Sequence, residues 1–224
     1  MPRSDPPPPF DLPVFLNSFN LHALVVGGGP VGRRKAATLL ETRAFVRVVA
    51  LEPRPAEMPD HRRLEWLAEP YRPEHLGRAK LVFTAAPRDV CERVQADARA
   101  RGVLVCRADH ARGGDFITPT VVRRGNQLRI AISTGGASPT LARRIAGRLA
   151  KMFDESFDEW VDVLGRWRLL AEMGRWESAR GRRRFLSEIS KLSWLAYLRS
   201  GGLEKLVDAY LALAIQYGYE GPDD

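Results

Sequence analysis

Three glycines near the start of the chain have the spacing of a phosphate-binding loop. Gly27, Gly29 and Gly32 follow the apolar run Leu24–Val26 in a G-x-G-x-x-G pattern, and a helical run, 34–41, comes next. In a dinucleotide-binding fold these glycines permit a tight turn, close approach to a pyrophosphate and close helix–strand packing. Free N–H groups at the helix start then face the phosphates. The pattern predicts a bound dinucleotide; a glycine-rich turn that binds nothing is the alternative. The predicted cofactor contacts in this loop are Gly27, Gly29, Pro30, Val31 and Gly32.

The nature of the dinucleotide depends on the residues just after the next apolar run, Phe45–Leu51. An acidic residue roughly 20 positions beyond the glycines accepts the ribose hydroxyls and favours NAD. Glu52 lies at that distance. Arg54 comes two residues later and is suited to a 2′-phosphate, so NADP is the less favoured alternative.

Two further runs end in residues that suit a ligand site. Thr84, Ala85 and Ala86 close the apolar run that starts at Leu81, and their small side chains let a cofactor approach the backbone. Asp109 follows the run Val103–Cys106. Ligands of parallel sheets bind outside the carboxyl ends of the strands, so these residues and the glycine loop are expected to converge on one crevice.

A second loop, Ser133 to Pro139, is also rich in glycine and hydroxyl groups. Ser138 is a good N-cap and Pro139 a good first helical residue, so the loop is expected to enter a helix. A loop of this kind is a candidate anion site. The residues expected to contact an anion there are Ser133, Thr134, Gly135, Gly136 and Ser138.

The elements that position these residues alternate between strand and helix up to about residue 117, which predicts an α/β fold with a Rossmann-type parallel sheet. The pattern then changes to a hairpin, 120–123 with 128–133, and from residue 153 onward to amphipathic helix. The predicted organisation is a disordered proline-rich tail over 1–11, a nucleotide-binding Rossmann domain over 12–117, a small α+β region over 118–152 and a helical domain over 153–224. Leu12–Leu16 is expected to form an edge strand, and Tyr217–Asp224 to fray.

Composition narrows the class of protein. The 224 residues carry a formal charge of +8, which suits an anionic partner or a solubilising surface. The two cysteines, Cys91 and Cys106, lack metal-ligand spacing, and no apolar run is long enough to span a membrane. A cytoplasmic protein without a membrane contact is expected.

Several of these segments resemble the precorrin-2 dehydrogenase family, the N-terminal module of siroheme synthases. The similarity covers the loop Gly27–Ala36, the motif Asp115–Pro119 and, most specifically, the run Ile130–Pro139. The family's key aspartate lies seven residues before the Phe of that motif, which is the position of Asp109. The family's Asn three residues earlier is replaced by Cys106 here.

The resemblance implies a homodimer whose 118–152 region forms the dimer contact. It implies NAD-dependent oxidation of precorrin-2 to sirohydrochlorin, with ferrous iron insertion to give siroheme as an activity of some members only. Asp109 would be the candidate base. The second loop would bind the carboxylates of the tetrapyrrole. His110 would contribute an acid, a base or a substrate contact, unless it is a bystander.

A function of another class stays open at this point. A non-catalytic, NAD-sensing regulator that binds DNA would also use the glycine loop and the positive charge. Such a protein needs a helix-turn-helix or a clustered basic recognition face, and the sequence shows neither clearly, so nucleic acid is not the expected partner.

Overall fold

The computed structural model describes residues 12–110, 113–125 and 127–222, so the predicted tail 1–11 lies outside the described residues. The chain divides into two compact units, Met1–Thr118 and Pro119–Asp224. Among the described residues, no helix combines the length and apolar character that crossing a bilayer requires.

The first unit is built on a five-stranded, wholly parallel sheet with the strand order β3-β2-β1-β4-β5. Its strands are rich in Val and Leu and are mostly buried, as expected for a sheet covered on both faces. Helix α1 packs on one face, with Ala36 and Leu40 buried, and α2 packs on the other, with Val94 and Ala98 buried. The elements are β1 (His22–Val26), α1 (Pro30–Leu40), β2 (Phe45–Ala50), β3 (Leu64–Ala68), a 3₁₀ turn (Pro73–Leu76), β4 (Leu81–Thr84), α2 (Arg88–Ala100) and β5 (Leu104–Arg107).

The order of the strands reverses at β1, next to the glycine loop where the sequence predicts a ligand crevice. β1 lies between β2 and β4, so the chain runs to one side from β1 to β3 and to the other side from β4 to β5. At the carboxyl end of β1, Val26 pairs with Val49 on one side and with Thr84 on the other. A reversal of this kind leaves an open crevice above the strand ends, where open α/β sheets bind ligands.

The predicted edge strand at Leu12–Leu16 is wrong. The segment has no regular secondary structure, and Leu12, Val14, Phe15 and Leu16 are all exposed. Pro13 lacks a backbone donor and interrupts the alternation that an edge strand needs.

The second unit joins a hairpin to a set of helices. The antiparallel strands β6 (Thr120–Arg124) and β7 (Leu128–Ile132) are followed by α3 (Pro139–Met152), whose N-cap is Ser138. The remaining elements are α4 (Glu155–Met173), β8 (Gly174–Trp176), α5 (Ala179–Ile189), α6 (Ser193–Gln216) and β9 (Tyr219–Pro222).

An aromatic core holds the helices of the second unit together. Trp160 donates from its indole nitrogen to the hydroxyl of Tyr210 at 2.9 Å, and that hydroxyl donates to the Ile189 carbonyl at 2.8 Å. Burial raises the pKa of Tyr210 to about 12. The buried hydroxyl therefore stays neutral and links α4, α5 and α6.

The predicted fraying of Tyr217–Asp224 is wrong for residues 217–222, and residues 223–224 lie outside the described residues. Tyr219–Pro222 pairs antiparallel with Gly174–Trp176, and the ring of Tyr219 lies 5.2 Å from that of Trp176. The partner strand is more than 40 positions earlier in the sequence, so local composition carries no sign of the pairing.

Candidate nucleotide and substrate sites

The glycine loop has the backbone geometry that a pyrophosphate cradle needs. Gly27 has φ of +111°, and a Cβ there would overlap the carbonyl oxygen of Ala85. A Cβ on Gly32 would overlap the carbonyl of Gly27. Any larger residue at either position would push the loop away from β4 or from the start of α1.

The start of α1 is open toward the crevice. Gly29 is the N-cap in an extended conformation, and no heavy atom lies within 4 Å of where its Cβ would be. No side chain caps the helix start, and the first turn carries no acidic residue. The N–H groups and the positive end of the helix dipole are thus left for an anion. These features fit the pyrophosphate of a dinucleotide.

Glu52 and Arg54, the two residues that bear on the choice between NAD and NADP, have different surroundings. The Glu52 carboxylate borders the glycine loop, because its Oε2 is 3.5 Å from where a Cβ on Gly28 would be. Its backbone carbonyl accepts from the indole of Trp66 at 3.0 Å, which holds the segment after β2 in place. Arg54 instead donates to the carboxylate of Asp60 and the Pro59 carbonyl, both at 3.1 Å.

The small residues after β4 line the same edge of the sheet. Ala85 donates to the Val26 carbonyl at 2.8 Å, and its own carbonyl faces Gly27. Thr84 is buried, and its hydroxyl oxygen has no hydrogen-bond partner among the described residues. Ala86 accepts from the thiol of Cys91 at 3.2 Å. The structure therefore brings 84–86 together with the glycine loop.

Asp109 lies just beyond β5, and its carboxylate is held by a neighbouring arginine. Arg107 donates from Nε to Oδ1 of Asp109 at 3.0 Å and from a terminal nitrogen to Oδ2 at 2.5 Å. This pair lowers the pKa of Asp109 below its ordinary value, chiefly through the hydrogen bonds from Arg107. The carboxylate is therefore a weaker base than the sequence suggests.

His110 follows Asp109 on an exposed stretch of the loop. Its carbonyl accepts from the Gly113 backbone at 2.9 Å, and its ring packs over the same glycine. Within residues 12–110, 113–125 and 127–222, no three His, Cys, Asp or Glu side chains are grouped so as to hold a metal.

The motif Asp115–Pro119 attaches to the core of the first unit. The Asp115 carboxylate accepts from the Val105 backbone at 2.9 Å, and the ring of Phe116 meets Phe83 edge-on at 5.4 Å. Lys35 of α1 donates to the hydroxyl of Thr118, and burial lowers the pKa of this lysine. The motif thus positions the segment that leaves β5.

The loop Ser133–Ser138 belongs to the second unit and is ordered by its own hydroxyls. Ser133 accepts from the Gly135 backbone at 3.1 Å, Thr134 from the Ser138 backbone at 3.0 Å, and Ser138 from Leu141 at 3.2 Å. These bonds use several backbone donors that the sequence assigned to a ligand. A hydroxyl that accepts retains its own proton, so the three O–H groups stay able to donate to a carboxylate.

Sequence reasoning missed two features of the site. Gly28 is also required to be small, because a Cβ there would lie 2.7 Å from the Cβ of Ala50. Arg107 reads as part of a strand, although its side chain is only 5% exposed. An arginine two positions before a candidate catalytic aspartate, at a strand end, is the signal that could have drawn attention to it.

Two family models match the chain. The model described as putative NAD(P)-binding covers residues 14–120, and that described as sirohaem biosynthesis protein, central, covers residues 126–152. The siroheme synthase of Neisseria meningitidis serogroup C (strain FAM18) is 32% identical over 215 residues, which cover 93% of this chain and 43% of that protein. That of Nitrosococcus oceani is 33% identical, with 93% and 44% covered.

A solved structure described as SirC, precorrin-2 dehydrogenase, superposes with a TM-score of 0.72 at 25% identity, and the match covers 90% of this chain and 100% of that one. This chain belongs to the precorrin-2 dehydrogenase family. The resemblance drawn from Gly27–Ala36, Asp115–Pro119 and Ile130–Pro139 is therefore confirmed. The chain spans less than half the length of the siroheme synthases it matches. The match of residues 14–120 to the NAD(P)-binding model supports a nicotinamide cofactor for the first unit.

Proposed function

We propose that the chain oxidises precorrin-2 to sirohydrochlorin with NAD as the acceptor. The observation that carries the proposal is the open glycine cradle above β1, with the Asp109 carboxylate beyond β5 on the same edge of the sheet. Family membership and the solved precorrin-2 dehydrogenase of the same fold support the choice of substrate.

The residues of the first unit would hold the cofactor. Gly27, Gly29 and Gly32 keep the loop tight and the α1 N–H groups open to the pyrophosphate, with Pro30 and Val31 beginning the helix. Glu52 would accept the ribose hydroxyls, and Thr84, Ala85 and Ala86 would border the nicotinamide end. When bound, NAD supplies the hydride acceptor.

We propose NAD rather than NADP as the cofactor because Arg54, the residue suited to a 2′-phosphate, is already paired. Its guanidinium is engaged by Asp60, whereas the Glu52 carboxylate borders the loop. A carboxylate at the ribose accepts the 2′-hydroxyl and repels a 2′-phosphate. The arrangement thus favours the unphosphorylated cofactor.

The reaction converts precorrin-2 and NAD to sirohydrochlorin, NADH and a proton. The C–H electron pair leaves the macrocycle as a hydride, and a ring N–H loses the proton. Asp109 is the proposed catalytic carboxylate beside the macrocycle, with His110 next to it. The hydroxyls of Ser133, Thr134 and Ser138, with the backbone of Gly135 and Gly136, both of which have positive φ, would bind the carboxylates of the substrate.

The test mixes purified protein, precorrin-2 and NAD, and follows the NADH and sirohydrochlorin absorbance together. Both should rise in equal amounts. Asp109→Asn should lower the rate at least tenfold, while Asp208→Asn, which changes an exposed carboxylate on α6, should leave it unaltered. Absence of any spectral change with the unsubstituted protein would refute the proposed dehydrogenase activity.

Iron insertion is a separate proposal for the same site. With no cluster of metal ligands among the described residues, ferrous iron would enter as a substrate held by the macrocycle nitrogens. Ferrous or cobaltous ion added after the oxidation is complete tests this. Conversion of sirohydrochlorin no faster than without protein would exclude it.

A homodimer through the 118–152 region is proposed as well. Val121 on β6 and Leu141 and Ile145 on α3 expose apolar side chains. Size-exclusion chromatography with light scattering should give a molar mass of two chains. Ile145→Glu should lower this molar mass to that of one chain.

The regulator that binds DNA is not favoured. No observation among the described residues supports it, and the matches are to siroheme synthases and a precorrin-2 dehydrogenase.

A further inference from the structure

Arg107 is a buried cation with all three of its guanidinium nitrogens engaged. Nε and one terminal nitrogen bind the two oxygens of Asp109, and the other terminal nitrogen donates to Oε1 of Gln95 at 2.8 Å. The Gln95 amide in turn donates to the Gly113 carbonyl. The network thereby joins the end of β5 to α2 and to the loop after Asp109.

The two members of the ion pair differ in exposure. The Arg107 side chain is 5% exposed, whereas that of Asp109 is 25% exposed. The guanidinium is therefore buried in the protein, and the carboxylate that it holds is partly exposed to solvent. The exposed part of the Asp109 side chain is where a ligand can reach the carboxylate.

We propose that Arg107 is a positioning residue that holds Asp109 toward the substrate as a permanent anion. This inference rests on the proposed oxidation of precorrin-2. A two-point fork fixes both the direction and the plane of the carboxylate, which a single hydrogen bond does not.

A fixed anion matches the charge that develops in the oxidation. Hydride loss from a carbon that bridges two pyrrole-type rings leaves a delocalised cation, which then loses a ring N–H proton. A carboxylate that is already oriented stabilises this cation without reorganising during the step. Asp109 therefore acts by its charge, and the released proton passes to water.

Two side chains of α2 also act on the pair. The Cys91 thiol, which donates to the Ala86 carbonyl, also lowers the pKa of Asp109, and the Glu92 carboxylate, itself paired with Arg88 at 2.9 Å, favours the charged form of Arg107. The Arg107 hydrogen bonds and the Cys91 contact both lower the pKa of Asp109. Arg107 is the largest of these influences, so its replacement should move the titration of Asp109 upward.

The first measurement needs no turnover. Carbon-13 NMR of the Asp109 carboxyl group, on the unliganded protein, should show its titration shifted up by at least one pH unit in Arg107→Gln. Arg99→Gln removes an arginine of α2 that pairs with Asp115 instead, and it should leave the titration unchanged. An identical Asp109 titration in Arg107→Gln and the unsubstituted protein overturns the proposal.

The second measurement separates position from charge. Arg107→Lys keeps the cation but loses the fork, so the Asp109 titration should stay low while kcat falls at least tenfold and the KM for NAD is unaltered. In Arg107→Gln, the pKa of the acidic limb of the kcat/KM pH profile should rise together with the pKa of Asp109 that NMR measures. Full activity in both Arg107 variants overturns the proposal, and if Arg107→Gln does not fold, the lysine variant alone decides it.

Failure of the proposed function gives a different result. An unsubstituted protein with no precorrin-2 oxidation, but with the NMR shift in Arg107→Gln, refutes the positioning role in catalysis and leaves the ion pair standing. Oxidation that is insensitive to Arg107 refutes the positioning role while the enzyme remains.

Discussion

Gly29 can be changed without damage to the fold, which makes it a sharp test of the nucleotide cradle. Its backbone is extended and a Cβ there meets open space, so alanine fits. Loss of the glycine N-cap should cost at most about 1 kcal/mol of stability. The added methyl group occupies the space through which a pyrophosphate reaches the α1 backbone.

The expected loss of NAD affinity comes from one displaced hydrogen bond. A hydrogen bond to a charged group contributes about 1.5–3 kcal/mol, so Gly29→Ala should raise the Kd for NAD about 10- to 150-fold. Titration calorimetry gives the Kd, and urea denaturation gives the free energy of unfolding on the same preparation.

Two other glycine-to-alanine variants serve as controls for Gly29→Ala. Gly32→Ala places a Cβ against the Gly27 carbonyl and should destabilise the first unit by about 1–3 kcal/mol or more. Gly147→Ala lies in α3 with open space and should stabilise by about 0.5–1 kcal/mol without affecting NAD. If Gly29→Ala binds NAD as tightly as the unsubstituted protein, the pyrophosphate does not lie over Gly29 and the cradle is wrongly assigned.

Three other predictions concern single side chains. Asp60→Ala removes one of the two acceptors of Arg54, the other being the Pro59 carbonyl, and should improve NADP binding at least threefold, measured as the ratio of the NADP and NAD dissociation constants; an unchanged ratio would show that the pairing does not decide the preference. Tyr210→Phe should leave an indole N–H and a carbonyl unpaired in the core and cost about 2–4 kcal/mol in urea denaturation, and a loss within error would contradict the buried bridge. Ser138→Ala removes the cap of the Leu141 N–H, so stability should fall by about 1 kcal/mol. The same variant should raise the KM for precorrin-2, and an unaltered KM would remove Ser138 from the substrate loop.

Local sequence was enough to predict most of the first unit. The valine-rich runs, the glycine spacing and the small residues at Thr84–Ala86 indicate strands and turns through short-range sterics and burial, and the structure has five parallel strands at those places. The glycine requirement at 27 and 32 arises from neighbours within the same strand–turn–helix unit or from the adjacent strand. Such constraints act on backbone geometry, so residue type and spacing report them directly.

Other features depended on residues that meet only after folding. Tyr219 pairs with the strand Gly174–Trp176, and Arg54 pairs with Asp60. In the sequence Arg107 is an ordinary polar residue at the end of a strand, yet in the structure its buried charge depends on Asp109 and Gln95 for partners. A buried ion must be paired, and which partner lies within reach is decided by the packing of the sheet against α2. The sequence by itself thus determined the cradle for the nucleotide, whereas tertiary packing decided the electrostatic state of the carboxylate beside it.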